Sequence, residues 1–116
     1  MFINQNKIQN HLYFMKLALE QARINLGNTG TNPSVGCVIA KNNSLVSAGY
    51  TGINGRPHAE INAINFTDTK LHKASLYVTL EPCSHFGKTP PCIQSITRNK
   101  IKKVFFSIKD PDPRSF

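Results

Sequence analysis

The chain has 116 residues, enough for one domain with a modest core. Its 40% hydrophobic and 17% charged content fits a globular protein rather than a disordered one. The formal charge of +8 comes from lysines spread along the sequence, with only Lys100, Lys102 and Lys103 clustered, which speaks against a nucleic-acid track.

No apolar run approaches the length of a membrane span, and the opening stretch MFINQNKIQNHLYFMKLALEQ lacks the layout of a signal peptide. A cytoplasmic location is the expectation. Residues 1–10 are polar and rich in Asn and Gln, and read as a frayed lead-in. From His11 to Leu26 the apolar positions Leu12, Met15, Leu19, Ala22 and Leu26 predict a helix, stopped by Gly27. GNTGTNP is a loop. VGCVIA (35–40) reads as a buried strand, KNNS as a turn and LVSAGY (45–50) as a second strand, together an antiparallel hairpin. Cys37, inside the first strand, reads as a packing residue.

TGINGRP is a loop, HAEINAINF (58–66) a short helix and SLYVT (75–79) a strand. Pro90 and Pro91 suit the first turn of a helix that runs to about Arg98, with Thr89 as N-cap. KVFFSI (103–108) is a fourth strand, and DPDP (110–113) closes the sheet edge as a rigid loop. The order α, β, β, α, β, α, β is an α/β layout. Val104, Phe105 and Phe106 call for cover on both faces, so a second copy or a partner chain over the last strand is expected, unless the sequence is a piece of a longer protein.

Three cysteines cannot all pair within the chain, and cytoplasmic thiols stay reduced, so a disulfide is a poor explanation of Cys83 and Cys92. A shared metal is a better one. One imidazole, His58, and two thiolates, Cys83 and Cys92, are good zinc ligands, and a set of three leaves a fourth position for water, as in catalytic sites. Glu60 is two positions from His58, about 200° around a regular helix. The two side chains can converge only if His58 sits at the very start of that helix, and Pro57 with the loop before it favours such a start. Glu60 would then handle protons without binding metal. Taken singly, each residue has a plainer role: a polar cap, a carboxylate at a helix dipole, a buried thiol. The combination H-x-E, then P-C, then a second C before a helix is the signature of zinc nucleobase deaminases.

The usual class spacing is P-C-x-x-C, whereas eight residues, SHFGKTPP, separate Cys83 from Cys92. YVTLEPCSHFGKTPPC closely resembles the deaminase family of bacterial riboflavin biosynthesis, as do NPSVGCVIA, GRPHAE and DPDP. The resemblance runs from about Leu12 to Arg114. It implies a cytidine deaminase-like three-layer α/β/α sandwich with a mixed sheet, truncated after the fourth strand, and a single zinc-dependent deaminase domain over 1–116 without the reductase domain of that family. It also implies Zn2+ as cofactor. The implied reaction replaces the 2-amino group of 2,5-diamino-6-ribosylamino-4(3H)-pyrimidinone 5′-phosphate with oxygen and releases ammonia. His58, Cys83 and Cys92 match the metal ligands and Glu60 the proton shuttle. Asn32, His85 and Lys88 match substrate contacts, Lys88 being suited to the 5′-phosphate. Thr51, which stands where the family often has histidine, and Asp110 and Asp112, in a motif that is commonly DPNP, fall at further substrate-binding positions of the family, and Lys100 replaces a glycine before the fourth strand. Two other readings remain beside this one: a zinc deaminase of a different nucleobase, and an inactive fragment that folds only with a partner.

Overall fold

A computed structural model describes residues 5–84 and 91–108. Helix α1 (Gln5–Ala22) leads into strand β1 (Gly36–Lys41), which pairs antiparallel with β2 (Ser44–Tyr50). Helix α2 (Ala59–Phe66) crosses to β3 (Ser75–Leu80), antiparallel to β1, and α3 (Cys92–Arg98) crosses to β4 (Lys103–Ile108), parallel to β3. The sheet is mixed, in the order β2-β1-β3-β4.

The β1–β2 hairpin closes on Asn42 and Asn43, both at positive φ (53° and 63°), the conformation a two-residue hairpin turn requires and asparagine tolerates. Alternation along the central strands then sends two sets of side chains to opposite faces. Cys37, Ile39, Leu76 and Val78 pack with Ala59, Ala63 and Ile64 of α2 and Ile96 of α3. Val38, Ala40 and Tyr77 pack with Phe14 and Ala18 of α1. The result is the expected three layers, helix on sheet on helix. Cys37 is fully buried, and that burial pushes its thiol well up, consistent with a packing role.

Two glycines let both helix layers approach the sheet. A Cβ on Gly36 would lie 1.8 Å from the Ala18 carbonyl oxygen of α1. One on Gly49 would lie 2.4 Å from the Ala63 nitrogen and 2.6 Å from the Ala59 oxygen of α2. The Ser47 hydroxyl, from the same face of β2, donates to the Ala63 carbonyl at 2.6 Å.

The first helix departs from its expected course. It begins at Gln5, so residues 5–10 are helical and not a frayed lead-in, and its regular part ends at Ala22. Beyond Ala22 the chain tightens into i→i−3 bonds, Arg23 to Glu20 and Ile24 to Gln21, before Gly27 turns it at φ +88°. The buried face is Phe14 and Ala18 flanked by Met15 and Leu17, while Leu12 and Leu26 of the expected stripe are 65% and 70% exposed. On the last strand, Phe105 stacks on Tyr77 (4.8 Å between centroids, 11° between planes) and Val104 meets the opposite core, but Ile108 is 62% exposed.

Helix α3 ends in a Schellman motif: the Lys100 N–H donates to the Thr97 oxygen and the Ile101 N–H to the Ile96 oxygen. Lys100 holds the left-handed position at φ 58° that glycine occupies without strain. Lys100→Gly should therefore stabilise the fold by about 1 kcal/mol in urea unfolding. Gly49→Val should cost about 3 kcal/mol or more through collision with the α2 backbone, read as a lower thermal midpoint.

Candidate metal centre

The second helix starts as the convergence argument requires. His58 occupies the N-cap position of α2 with an extended backbone (φ −66°, ψ 158°), and its carbonyl accepts the first helical bond from the Asn62 N–H at 3.1 Å. The preceding loop is held in place by the Gly52 N–H, which donates to the Pro57 carbonyl at 3.0 Å, and by the Asn62 side-chain amide, which donates to Tyr50 and Pro57 carbonyls at 2.7 and 3.2 Å. The Arg56–Pro57 peptide is cis.

Cys83 follows β3 after the buried Pro82, and Cys92 is the first residue of α3. The α3 N-cap position is Pro91, not Thr89. Thr89 and Pro90 lie outside the described residues, as does the DPDP loop. The Cys92 N–H donates to Cys83 Sγ at 3.1 Å and the Ile93 N–H to the Cys83 carbonyl at 3.3 Å, which ties the two cysteine segments together.

The three donor atoms lie within 4.8 Å of one another. His58 Nδ1 is 3.3 Å from Cys92 Sγ and 3.7 Å from Cys83 Sγ. Tetrahedral zinc with ordinary bond lengths would place a nitrogen and a sulfur ligand about 3.6 Å apart, so the donor set fits zinc in both identity and spacing. The three donors also shift one another's proton affinities. The Cys92 thiol beside Cys83, and then His58, draw the Cys83 thiol well below its usual range against the effect of burial. The contact with Cys83, burial and the Glu60 carboxylate push Cys92 up. His58 is raised, first by its hydrogen bond with Cys83.

Glu60 sits in the first turn of α2 and is buried. Burial pushes its carboxyl up to about 7, opposed by its own backbone N–H, by His58 and by a hydrogen bond with Cys92. It is therefore in electrical contact with both neighbouring donors without belonging to the metal group.

Of the other expected site residues, Asn32 is braced: its side-chain N–H donates to the Gly55 carbonyl at 3.0 Å, linking the loop before β1 to the loop before α2. Thr51 is buried where β1 and β2 begin and end side by side. It is 2% exposed, and its hydroxyl accepts from the Val35 N–H at 2.8 Å while its backbone N–H bonds the Val35 carbonyl at 3.0 Å. It clasps the adjoining ends of β1 and β2. His85, Lys88, Asp110 and Asp112 lie outside the described residues. Sequence reasoning missed a pair on the other side of the sheet, His11 and Tyr77, whose Nδ1 and hydroxyl lie 2.6 Å apart. They are 66 positions apart, and no local pattern joins them.

Comparison with known proteins agrees with this geometry. Residues 8–108 match the family described as the cytidine and deoxycytidylate deaminase zinc-binding region. The chain is 45% identical over 105 residues to a diaminohydroxyphosphoribosylamino-pyrimidine deaminase of Buchnera aphidicola from Acyrthosiphon pisum, covering 90% of this chain and 71% of that protein. It is 48% identical over 101 residues to the riboflavin biosynthesis protein RibD of Bacillus amyloliquefaciens, covering 87% of this chain but only 27% of that protein. A solved deaminase/reductase from Thermotoga maritima superposes with a TM-score of 0.87 at 40% identity, over 93% of this chain and 32% of that one. The chain thus spans most of the Buchnera relative and under a third of the Bacillus and Thermotoga ones. With a three-layer mixed-sheet fold and a His-Cys-Cys group beside a buried glutamate, it belongs to the zinc-binding deaminase family, on the riboflavin-biosynthesis branch.

Proposed function

We propose that the chain is a zinc-dependent hydrolytic deaminase that acts on the diaminopyrimidinone ribosyl phosphate of riboflavin synthesis. The observation that carries this reading is the convergence of His58, Cys83 and Cys92 at zinc-ligand spacing with Glu60 buried beside them. The long Cys83–Cys92 insert and the names of the relatives favour this substrate over cytosine, guanine or tRNA adenosine.

His58 Nδ1 and the sulfurs of Cys83 and Cys92 would hold the ion. Bound there, zinc supplies a water acidified to near neutrality as the nucleophile. Glu60 does the proton work: its carboxyl is buried beside the three donors and outside the metal group, placed to take a proton and return it. One proton accepted at its oxygen and passed to the departing amino nitrogen lets that group leave as ammonia while the ring carbon gains oxygen. Its burial excludes bulk water from this exchange. Asn32, fixed through Gly55, can offer its Oδ1 to a ring or ribose donor. His85 and Lys88 in the insert are the further proposed contacts, Lys88 toward the phosphate.

Three outcomes test this. Glu60→Gln should retain zinc by metal analysis and lose turnover by about 10²–10⁴-fold in ammonia release, since the amide keeps the shape but cannot carry the proton; full activity would remove Glu60 from the mechanism. Zinc titrated into the metal-free chain in weak buffer at neutral pH should release protons, because the raised Cys92 thiol must lose its proton to bind. The bound form carries fewer protons, so apparent zinc affinity should rise with pH. In a panel of aminopyrimidines and nucleobases, the diaminopyrimidinone phosphate should be the preferred substrate, and preference for cytosine or guanine would overturn the assignment.

A further inference from the structure

The other end of the sheet holds a second cavity. It lies on the α1 side, with a volume of about 210 Å³, and is lined by Lys7 of α1, Asn42 and Asn43 of the hairpin turn, Lys73, Tyr77 and Lys103. Five separate segments of chain supply these residues. Three are cationic, two are amides, and no carboxylate lines the cavity among the described residues. The metal centre follows the C-terminal end of β3, whereas this cavity borders the strand's start at Ser75 and the opposite face. The six residues of β3 separate the two by about 15 Å along the strand.

The backbone of its rim is tied into the fold. Asn42 and Asn43 are set by the hairpin turn. Lys73 holds a left-handed conformation (φ 65°), and its N–H donates to the Lys100 carbonyl at 3.0 Å. Lys103 is locked opposite Ser75 in the β3–β4 ladder. Phe14 and Tyr77, tilted against each other with 5.3 Å between ring centroids, line the cavity on the helix side, where His11 also meets the Tyr77 hydroxyl. An anion entering a concavity bordered by Lys73 and Lys103 is attracted by both. The volume falls below the roughly 300–1,000 Å³ of pockets for drug-sized ligands, so it suits one compact group.

We propose that this cavity is a binding site for a dianionic phosphate group, separate from the metal centre, with Lys73 and Lys103 as the charged contacts and the Asn42 and Asn43 amides as neutral donors. The shared chemistry covers inorganic phosphate and a phosphate monoester. An extended polynucleotide is disfavoured, because the cationic residues enclose a small concavity and do not track along a face.

The test is a nuclear magnetic resonance titration of the zinc-loaded full chain at constant pH and ionic strength. Inorganic phosphate, ribose 5-phosphate and, as control, chloride are added separately. The proposal predicts saturable shifts of the Asn43, Lys73, Ser75 and Lys103 amides with phosphate or the sugar phosphate. Saturation by both marks a phosphate site, and by the sugar phosphate alone a monoester site. Lys73→Asn with Lys103→Gln, both at exposed positions and with asparagine suited to the left-handed one, should weaken binding at least about tenfold while zinc content is unchanged. Shifts that never saturate, that map to the metal centre, or that persist undiminished in the double variant overturn the proposal. So does a single-stranded oligonucleotide that binds where neither phosphate compound does.

Discussion

The contact of α2 with the sheet at Gly49 is the constraint on which the metal centre depends. Helix backbone lies where a side chain would otherwise stand, and Ser47 pins the same turn through the Ala63 carbonyl. With the helix axis set against β2, its start is set too, and His58 is delivered there in an extended conformation. The two cysteines arrive independently, one from the end of β3 and one from the start of α3, and are joined through the Cys92 N–H to Cys83 Sγ bond. Donors from three elements meet because α2 and α3 share one face of the sheet and their N-termini point to the same end of it.

The electrostatics follow from burial. A carboxylate in the first turn of a helix is ordinarily favoured by the dipole, which lowers its pKa. In Glu60 desolvation outweighs that effect and the pull of His58. The same enclosure holds two cysteine sulfurs and an imidazole nitrogen at short range, and their protons must leave for an ion to bind. A divalent ion replaces those protons with one charge that all three donors satisfy together. The arrangement thus couples a site that favours a cation to a neighbouring buried carboxyl that can carry a proton.

Much of this was legible in the residues. Strand positions showed as short apolar runs, and β4 matches KVFFSI residue for residue. Pro57 and the H-x-E spacing together pointed to a helix starting at His58, which is what makes the pair converge. The first helix misled because it is apolar on two sides. Periodicity could not tell the leucine stripe from the face that meets the sheet, and the sheet offers Gly36 and Ala40 there, a surface that admits Ala18 and Phe14. At Thr51 the residue type alone does not disclose that the hydroxyl bonds the backbone at the joined ends of β1 and β2, a contact made only by the pairing of the two strands. The lysine-lined cavity was invisible because its residues come together only through the fold; in the sequence Lys103 stood out only as part of a short basic run.

The most direct test of the central claim is zinc-edge X-ray absorption of the metal-loaded chain. The account predicts one bound zinc per chain with two sulfur neighbours at about 2.3 Å, one imidazole nitrogen and one further light atom. A chain that folds without taking up zinc, or a zinc with fewer than two sulfur neighbours, would contradict it.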